Sequence, residues 1–182
     1  MTKLPIGLYL HVPFCVSKCP YCDFYSVAAT DLQLDAYTDA LANSLADWAA
    51  KIGETADTLY FGGGTPSLLG AKRITRLVGA ARRLFSIPDD AEITLEANPG
   101  DALDEVFSAF AAAGGNRLSL GMQSTNDAQL RVLGRRHTVS QTEAAIHSAV
   151  KAGIVNYSLD IMLGTPNQTT DDVQHAVSCC AP

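Results

Sequence analysis

Ile93-Thr94-Leu95-Glu96-Ala97-Asn98 alternates apolar and polar residues without a break. In an extended chain successive side chains point to opposite faces, so Ile93, Leu95 and Ala97 share one side and Thr94, Glu96 and Asn98 the other. Two later stretches repeat the pattern. Leu118, Leu120 and Met122 oppose Ser119, Gly121 and Gln123; Leu159 and Ile161 oppose Ser158 and Asp160. A parallel strand covered by helices on both faces reads instead as a continuous apolar run. These strands are therefore expected to pack one face on helices and to turn the other to a polar lumen or groove. Glu96, Gln123 and Asp160 would stand there near the carboxyl ends of their strands, where barrels and open α/β sheets bind ligands. A half-solvated sheet with functionless polar residues is the other reading of the same alternation.

Outward from this stretch the chain repeats strand then helix. Strand-like runs cover residues 8–12, 58–61, 92–97, 117–123 and 157–163. Helical periodicity covers 31–51, 71–85, 101–113 and 140–152, with shorter pieces at 127–133 and from Thr169. Alternating units of this length predict an α/β fold with a parallel sheet and outer helices. Asp31 is placed to cap the first long helix, and Asp101, with Asp104 behind it, the third. Gly114-Gly115 and Gly153 follow helix ends, and Pro88 and Pro99 fall in connections. There is no linker or low-complexity tract, so residues 1–182 read as one domain.

Composition narrows the function classes. The 182 residues are 47% hydrophobic, with 13 Lys+Arg against 19 Asp+Glu and a net charge of -6. That charge argues against nucleic acid and anionic membrane as partners. No apolar run approaches the roughly 18 to 20 residues of a membrane span, and the N-terminus lacks a secretory signal. The chain reads as cytoplasmic.

Five cysteines without an export signal do not suggest a disulfide framework. Cys15, Cys19 and Cys22 form C-x3-C-x2-C, three thiols in eight residues that can wrap one face of a metal centre. Structural zinc takes four protein ligands, and His11 is the only local fourth candidate. An iron–sulfur cluster also usually takes four cysteines; three would leave one iron open as a Lewis-acid position for a chelating ligand. A zinc knuckle and three unrelated thiols are the competing readings. Cys179 and Cys180 read as ordinary buried thiols in a helix. Gly62-Gly63-Gly64-Thr65-Pro66 follows the second strand without the P-loop or Rossmann spacing; its bare glycines would let the backbone approach a ligand closely.

Cys15-x3-Cys19-x2-Cys22, with Tyr21 before the last cysteine and the glycine loop after the next strand, resembles the radical S-adenosylmethionine (SAM) signature. Leu8–Cys15, Phe61–Pro66, Leu118–Ser124, Leu133–His137 and Gly164–Thr169 resemble the oxygen-independent coproporphyrinogen III oxidase family, and within it the heme chaperone branch. The resemblance runs from Leu8 to about Asp172. It implies a partial (β/α)6-type open barrel and a [4Fe-4S] cluster on Cys15, Cys19 and Cys22, with SAM chelating the open iron. Carried over motif by motif, it implies that Tyr9 and the Gly63-Gly64-Thr65 backbone contact SAM and that Tyr21 lies beside the cluster. Glu96 would accept the methionine ammonium, Arg135 would pair with a carboxylate, and Gln123 and Asp160 would bind ribose hydroxyls or a second SAM. From the residues alone, Tyr9 also reads as a core aromatic and Arg135 as a solvated charge at a helix end. His11, His137, His147 and His175 carry no assigned role, and no catalytic residue is assigned.

The oxidase branch of the family usually has a further cysteine two residues after the third; here that position is Phe24. This favours the chaperone branch, implying bound heme, a heme-accepting protein partner and a reduced flavodoxin or ferredoxin-type electron donor. An oxygen-independent coproporphyrinogen III oxidase, a radical methyltransferase and a non-catalytic cluster module are the alternatives. The sequence is expected to be the front part of a longer radical SAM core: about five strand–helix units, with the rest of the barrel and a C-terminal domain absent. An open edge on the strand at 157–163 would then make these residues alone poorly soluble or inactive.

Overall fold

Five strands, β1 (Ile6–Val12), β2 (Ala56–Gly63), β3 (Glu92–Ala97), β4 (Arg117–Gln123) and β5 (Asn156–Ile161), pair in parallel in the order in which the chain makes them. The structure is a computed structural model and describes residues 4–53 and 55–180. The helices between the strands are α1 (Asp31–Ile52), α2 (Gly70–Phe85), α3 (Asp104–Ala112), the short α4 (Asp127–Val132) and α5 (Val139–Lys151); α6 (Thr170–Cys180) follows β5. A 3-10 turn, Pro66–Leu69, precedes α2. Sequential order decides the architecture. Crossovers of one hand that all step the same way place their helices on one face of the sheet, whereas a doubly wound sheet reverses direction and covers both. The chain is thus a partial open α/β barrel, as the family resemblance implies, and its strands have one helix-packed face and one polar face, as their alternation predicts.

The core lies between the sheet and those helices. Ile93, Leu95, Leu118 and Leu120 are buried against Ile74, Leu77 and Val78 of α2 and Phe107 and Phe110 of α3. α2 shows how the sequence specifies this. Its apolar residues return every three or four positions, while Lys72, Arg73, Arg76, Arg82 and Arg83 take the other side. Arg73 reaches back to Asp31 and Asp35 on α1, pairs whose acidic partners are solvent-exposed and therefore add little to stability.

Several local expectations are corrected. The N-cap of α1 is Thr30, not Asp31: its hydroxyl takes the Gln33 amide and the Gln33 side chain returns to the Thr30 amide. Thr138 and Gln141 repeat that reciprocal cap on α5. Asp101 caps nothing; α3 begins at Asp104, and Asp101 stays in the preceding loop. β5 ends at Ile161, and Leu163 is exposed in the following turn. Cys179 and Cys180 are exposed, not buried, because α6 buries only Ala176. β5 has β4 as its only strand partner among the described residues. None of the described helices is long and apolar enough to cross a membrane.

Candidate functional site

The cysteine loop leaves the carboxyl end of β1 and is pinched at its base. Phe14 bridges Val27 in parallel, with Cys15 N donating to Val27 O at 3.1 Å and Val27 N to Pro13 O at 3.0 Å. Inside the loop Cys22 N donates to Cys19 O at 3.0 Å, a tight turn that holds the last two cysteines together. The glycine loop leaves β2 alongside and prolongs the ladder past the strand ends: Gly64 N donates to Val12 O at 2.8 Å and Thr65 N to Phe14 O at 2.7 Å. Only glycine allows this approach at 64, where a Cβ would lie 2.6 Å from Phe14 O and 3.0 Å from Cys15 Sγ. Gly63 is held at φ +123°, a conformation that side chains rarely adopt.

These loops and the polar strand faces enclose a cavity of about 340 Å³. Cys15, Cys19, Tyr21 and Cys22 line it from the first loop, and Gly63, Gly64 and Thr65 from the second. Tyr9, Glu96, Gln123 and Asp160 line it from the strands, and Arg135 from the connection between α4 and α5. Every site residue singled out from the sequence thus lies on one wall or another of a single cavity. Asn98, Gly121 and Ser119 share it, as does Phe24.

Glu96 is the pivot of one side. Its Oε1 accepts from the Tyr60 hydroxyl at 2.8 Å and its Oε2 from Gly63 N at 3.1 Å, so the carboxylate anchors the glycine loop. An ionised carboxylate has about four acceptor sites, and two remain. Burial, and then the hydrogen bond to Glu96, push the Tyr60 hydroxyl up to about 12, so it stays protonated and keeps donating. Tyr9 stacks on Tyr60 with ring centroids 5.9 Å apart and bonds His11 Nδ1 at 3.2 Å. At 59% exposed it is not a core aromatic.

Arg135 is the pivot of the other side. Nη1 donates to Tyr21 Oη at 3.2 Å and lies 3.8 Å from Cys19 Sγ; Nη2 donates to Gly121 O at 2.8 Å and to Asn98 Oδ1. The guanidinium therefore ties the cysteine loop to β3 and β4, and is not a solvated helix-end charge. Among the described residues Asp160 has the Ser119 hydroxyl as its one hydrogen-bond partner, 3.4 Å from both carboxylate oxygens. Burial raises its pKa, with Ser119, Arg117 and Arg135 pulling the other way. Gln123 closes β4 at φ +66°, where the register with β5 slips. Such backbone in a residue other than glycine is a local strain of the kind found around ligand sites.

A [4Fe-4S] centre fits the donor set. Three thiols free of disulfides border the cavity, and the glycine cradle at 64 keeps side-chain bulk off Cys15 Sγ. Among the described residues no three His, Cys, Asp or Glu side chains converge on one point as a single metal ion would need; in a cluster each thiolate binds a different iron, so three cysteines around a cavity need not meet at one point. Cys179 lies near His175 on α6, 3.8 Å from its Nδ1, and neither lines this cavity. Asn98 and Tyr60 are the contributors that sequence reasoning passed over as individuals. Asn98 stood in the polar set of its strand, and Tyr60 lies two residues before Gly62 on the same strand face.

Comparison with known proteins agrees with this geometry. The model of the radical SAM superfamily matches residues 9–180. The heme chaperone HemW of Haemophilus influenzae is 39% identical over 196 residues, covering 100% of this chain and 50% of that protein. HemW of Escherichia coli K12 is 41% identical over 175 residues, covering 94% and 46%. The chain spans about half the length of the curated relatives it matches. Among solved structures, the E. coli coproporphyrinogen III oxidase HemN, described as a radical SAM enzyme, superposes with a TM-score of 0.87 at 30% identity, covering 96% of this chain and 41% of HemN. The Kitasatospora setae methyltransferase TsrM, with a TM-score of 0.64 and 16% identity, shares the fold. With its cysteine loop, glycine loop and parallel partial barrel arranged in this way, the chain belongs to the radical SAM superfamily.

Proposed function

We propose that the protein binds a [4Fe-4S] cluster and SAM and works in heme trafficking, as a cytoplasmic chaperone that takes up heme and passes it to an acceptor protein. The observation that carries the cofactor half is the single cavity that gathers three thiols, a glycine loop and Glu96. Cys15, Cys19 and Cys22 would hold the cluster, which when bound supplies an electron to the SAM sulfonium from a reduced flavodoxin or ferredoxin-type donor. The two free acceptor sites of Glu96 would receive the methionine ammonium, a charge-assisted bond. The amides and carbonyls of Gly63, Gly64 and Thr65 would meet the methionine end, with Tyr9 and Tyr21 packing beside it. Arg135 would attract a carboxylate while keeping the cysteine loop in place. Gln123 and Asp160 would take ribose hydroxyls or those of a second SAM.

The heme half rests on the HemW relatives and on Phe24. Phe24 lines the cavity at the position where the oxidase branch carries another cysteine. The second reading, an oxygen-independent coproporphyrinogen III oxidase, is favoured by the HemN superposition. The two separate in one anaerobic experiment on the reconstituted protein. Titration with hemin should give a saturable Soret band, and incubation with coproporphyrinogen, SAM and reductant should leave the porphyrinogen intact. Decarboxylated product would establish the oxidase instead, and absence of a saturable Soret band would remove the chaperone reading.

A further inference from the structure

Asn98 lies one residue past β3, between two arms of the cavity wall, and donor–acceptor chemistry fixes its orientation. Arg135 carries only donors, so Asn98 turns Oδ1 to Arg135 Nη2 and Nδ2 to Thr65 Oγ1, at 2.8 Å. An amide nitrogen can only donate, so the Thr65 oxygen accepts and its own proton is directed elsewhere. Cys15 Sγ lies 3.6 Å from Thr65 Oγ1 and is the acceptor in reach. At the other end Arg135 Nη1 is 3.8 Å from Cys19 Sγ. One run of hydrogen bonds, Thr65–Asn98–Arg135, thus links two cysteine sulfurs and ends in a donor at each.

We propose that this run is an electrostatic tuning relay: Asn98 is a positioning residue that aims the Thr65 hydroxyl proton at Cys15 and the Arg135 guanidinium at Cys19. The inference rests on the reading that these cysteines hold a [4Fe-4S] cluster. Adding an electron to such a cluster increases the negative charge on its thiolate ligands. Hydrogen bonds to those sulfurs stabilise the reduced form and raise the reduction potential. The arrangement is specific to an amide at 98. A carboxylate there would accept from both neighbours, so the Thr65 proton would turn to residue 98 and leave Cys15.

The test is an EPR-monitored potentiometric titration with dithionite of the reconstituted chain without SAM, with iron content measured alongside. Iron content and the EPR signal of the unmodified chain report on the cluster reading; the potentials of the variants report on the relay. Thr65→Val should lower the ratio of reduced to oxidised cluster at fixed potential by about tenfold, which is about 59 mV for one electron. Thr65→Ser should retain the original potential. Asn98→Asp should also lower it, partly by its charge. In the Thr65→Val background its effect should shrink, because no hydroxyl proton is left to redirect. An unchanged potential in Thr65→Val, or strict additivity of the two substitutions, overturns the relay. So does failure of Thr65→Val to take up iron while Thr65→Ser takes it up fully, since the hydroxyl would then retain the cluster without tuning it.

Discussion

Gly64→Ala is expected to deprive the protein of most of its cluster. The added methyl would lie 2.6 Å from Phe14 O, a backbone atom, and 3.0 Å from Cys15 Sγ. Neither side can yield cheaply. Phe14 O accepts from Thr65 N at 2.7 Å, and Gly64 N donates to Val12 O at 2.8 Å, so separating the loops breaks the ladder that aligns them. Overpacking of this kind costs about 1–3 kcal/mol, and here the strain falls on a cysteine ligand. Iron bound per chain after anaerobic reconstitution should drop well below that of the unmodified protein, and the thermal midpoint should fall. Gly79→Ala is the control. Inside α2 a Cβ at 79 would meet, among the described residues outside its own turn of backbone, just the flexible Arg83 Nη1 tip at 3.3 Å, and exchanging a helical glycine for alanine is favourable by about 1 kcal/mol. Full iron content and an unchanged midpoint in Gly64→Ala would contradict the account of the loop contact.

The second large effect is expected at Glu96, where two substitutions separate two roles. Glu96→Ala removes the acceptors for Tyr60 and Gly63 and the charge offered to the SAM ammonium. Hydrogen bonds to charged groups contribute about 1.5–3 kcal/mol, so SAM affinity should fall roughly tenfold to a hundredfold, with further loss as the glycine loop loosens. Glu96→Gln keeps the shape: its amide oxygen can accept from Gly63 N, and the Tyr60 hydroxyl can turn to accept from the amide nitrogen. The fold and the iron content should survive in Glu96→Gln while SAM affinity still drops. Calorimetric titration of SAM into each reconstituted variant measures this. Equal affinity in Glu96→Gln and the unmodified protein would remove the ammonium role and leave Glu96 as an anchor for the loop alone.

Much of this site was legible because strand periodicity is a strong signal. Alternation in β3, β4 and β5 put Glu96, Gln123 and Asp160 on one side of the sheet, and the structure lines one cavity with all three. Spacing in the cysteine motif and the glycines after β2 was equally local. What was not legible depends on contacts distant in sequence. Asn98 matters through Thr65 and Arg135, 33 and 37 residues away, and no short-range pattern marks that meeting. Arg135 reads as one of two adjacent charges until the fold brings Cys19 and Gly121 to it. The positive φ of Gln123 has no sequence signal, since glutamine is not a residue that usually adopts it. The cap of α1 was misplaced by one residue because Thr30 and Asp31 are both good caps, and Gln33 decides between them by reaching back to Thr30. Cys179 and Cys180 read as buried because cysteine usually is, yet α6 presents only Ala176 to the core.

The central claim is that this cavity holds a cluster whose open face receives SAM. The most direct measurement is the EPR spectrum of the anaerobically reconstituted, dithionite-reduced protein, recorded with and without SAM. The account predicts a [4Fe-4S] signal whose g values and line shape change when SAM is added, and a signal lost in Cys19→Ser. A reduced-cluster spectrum identical with and without SAM would contradict it.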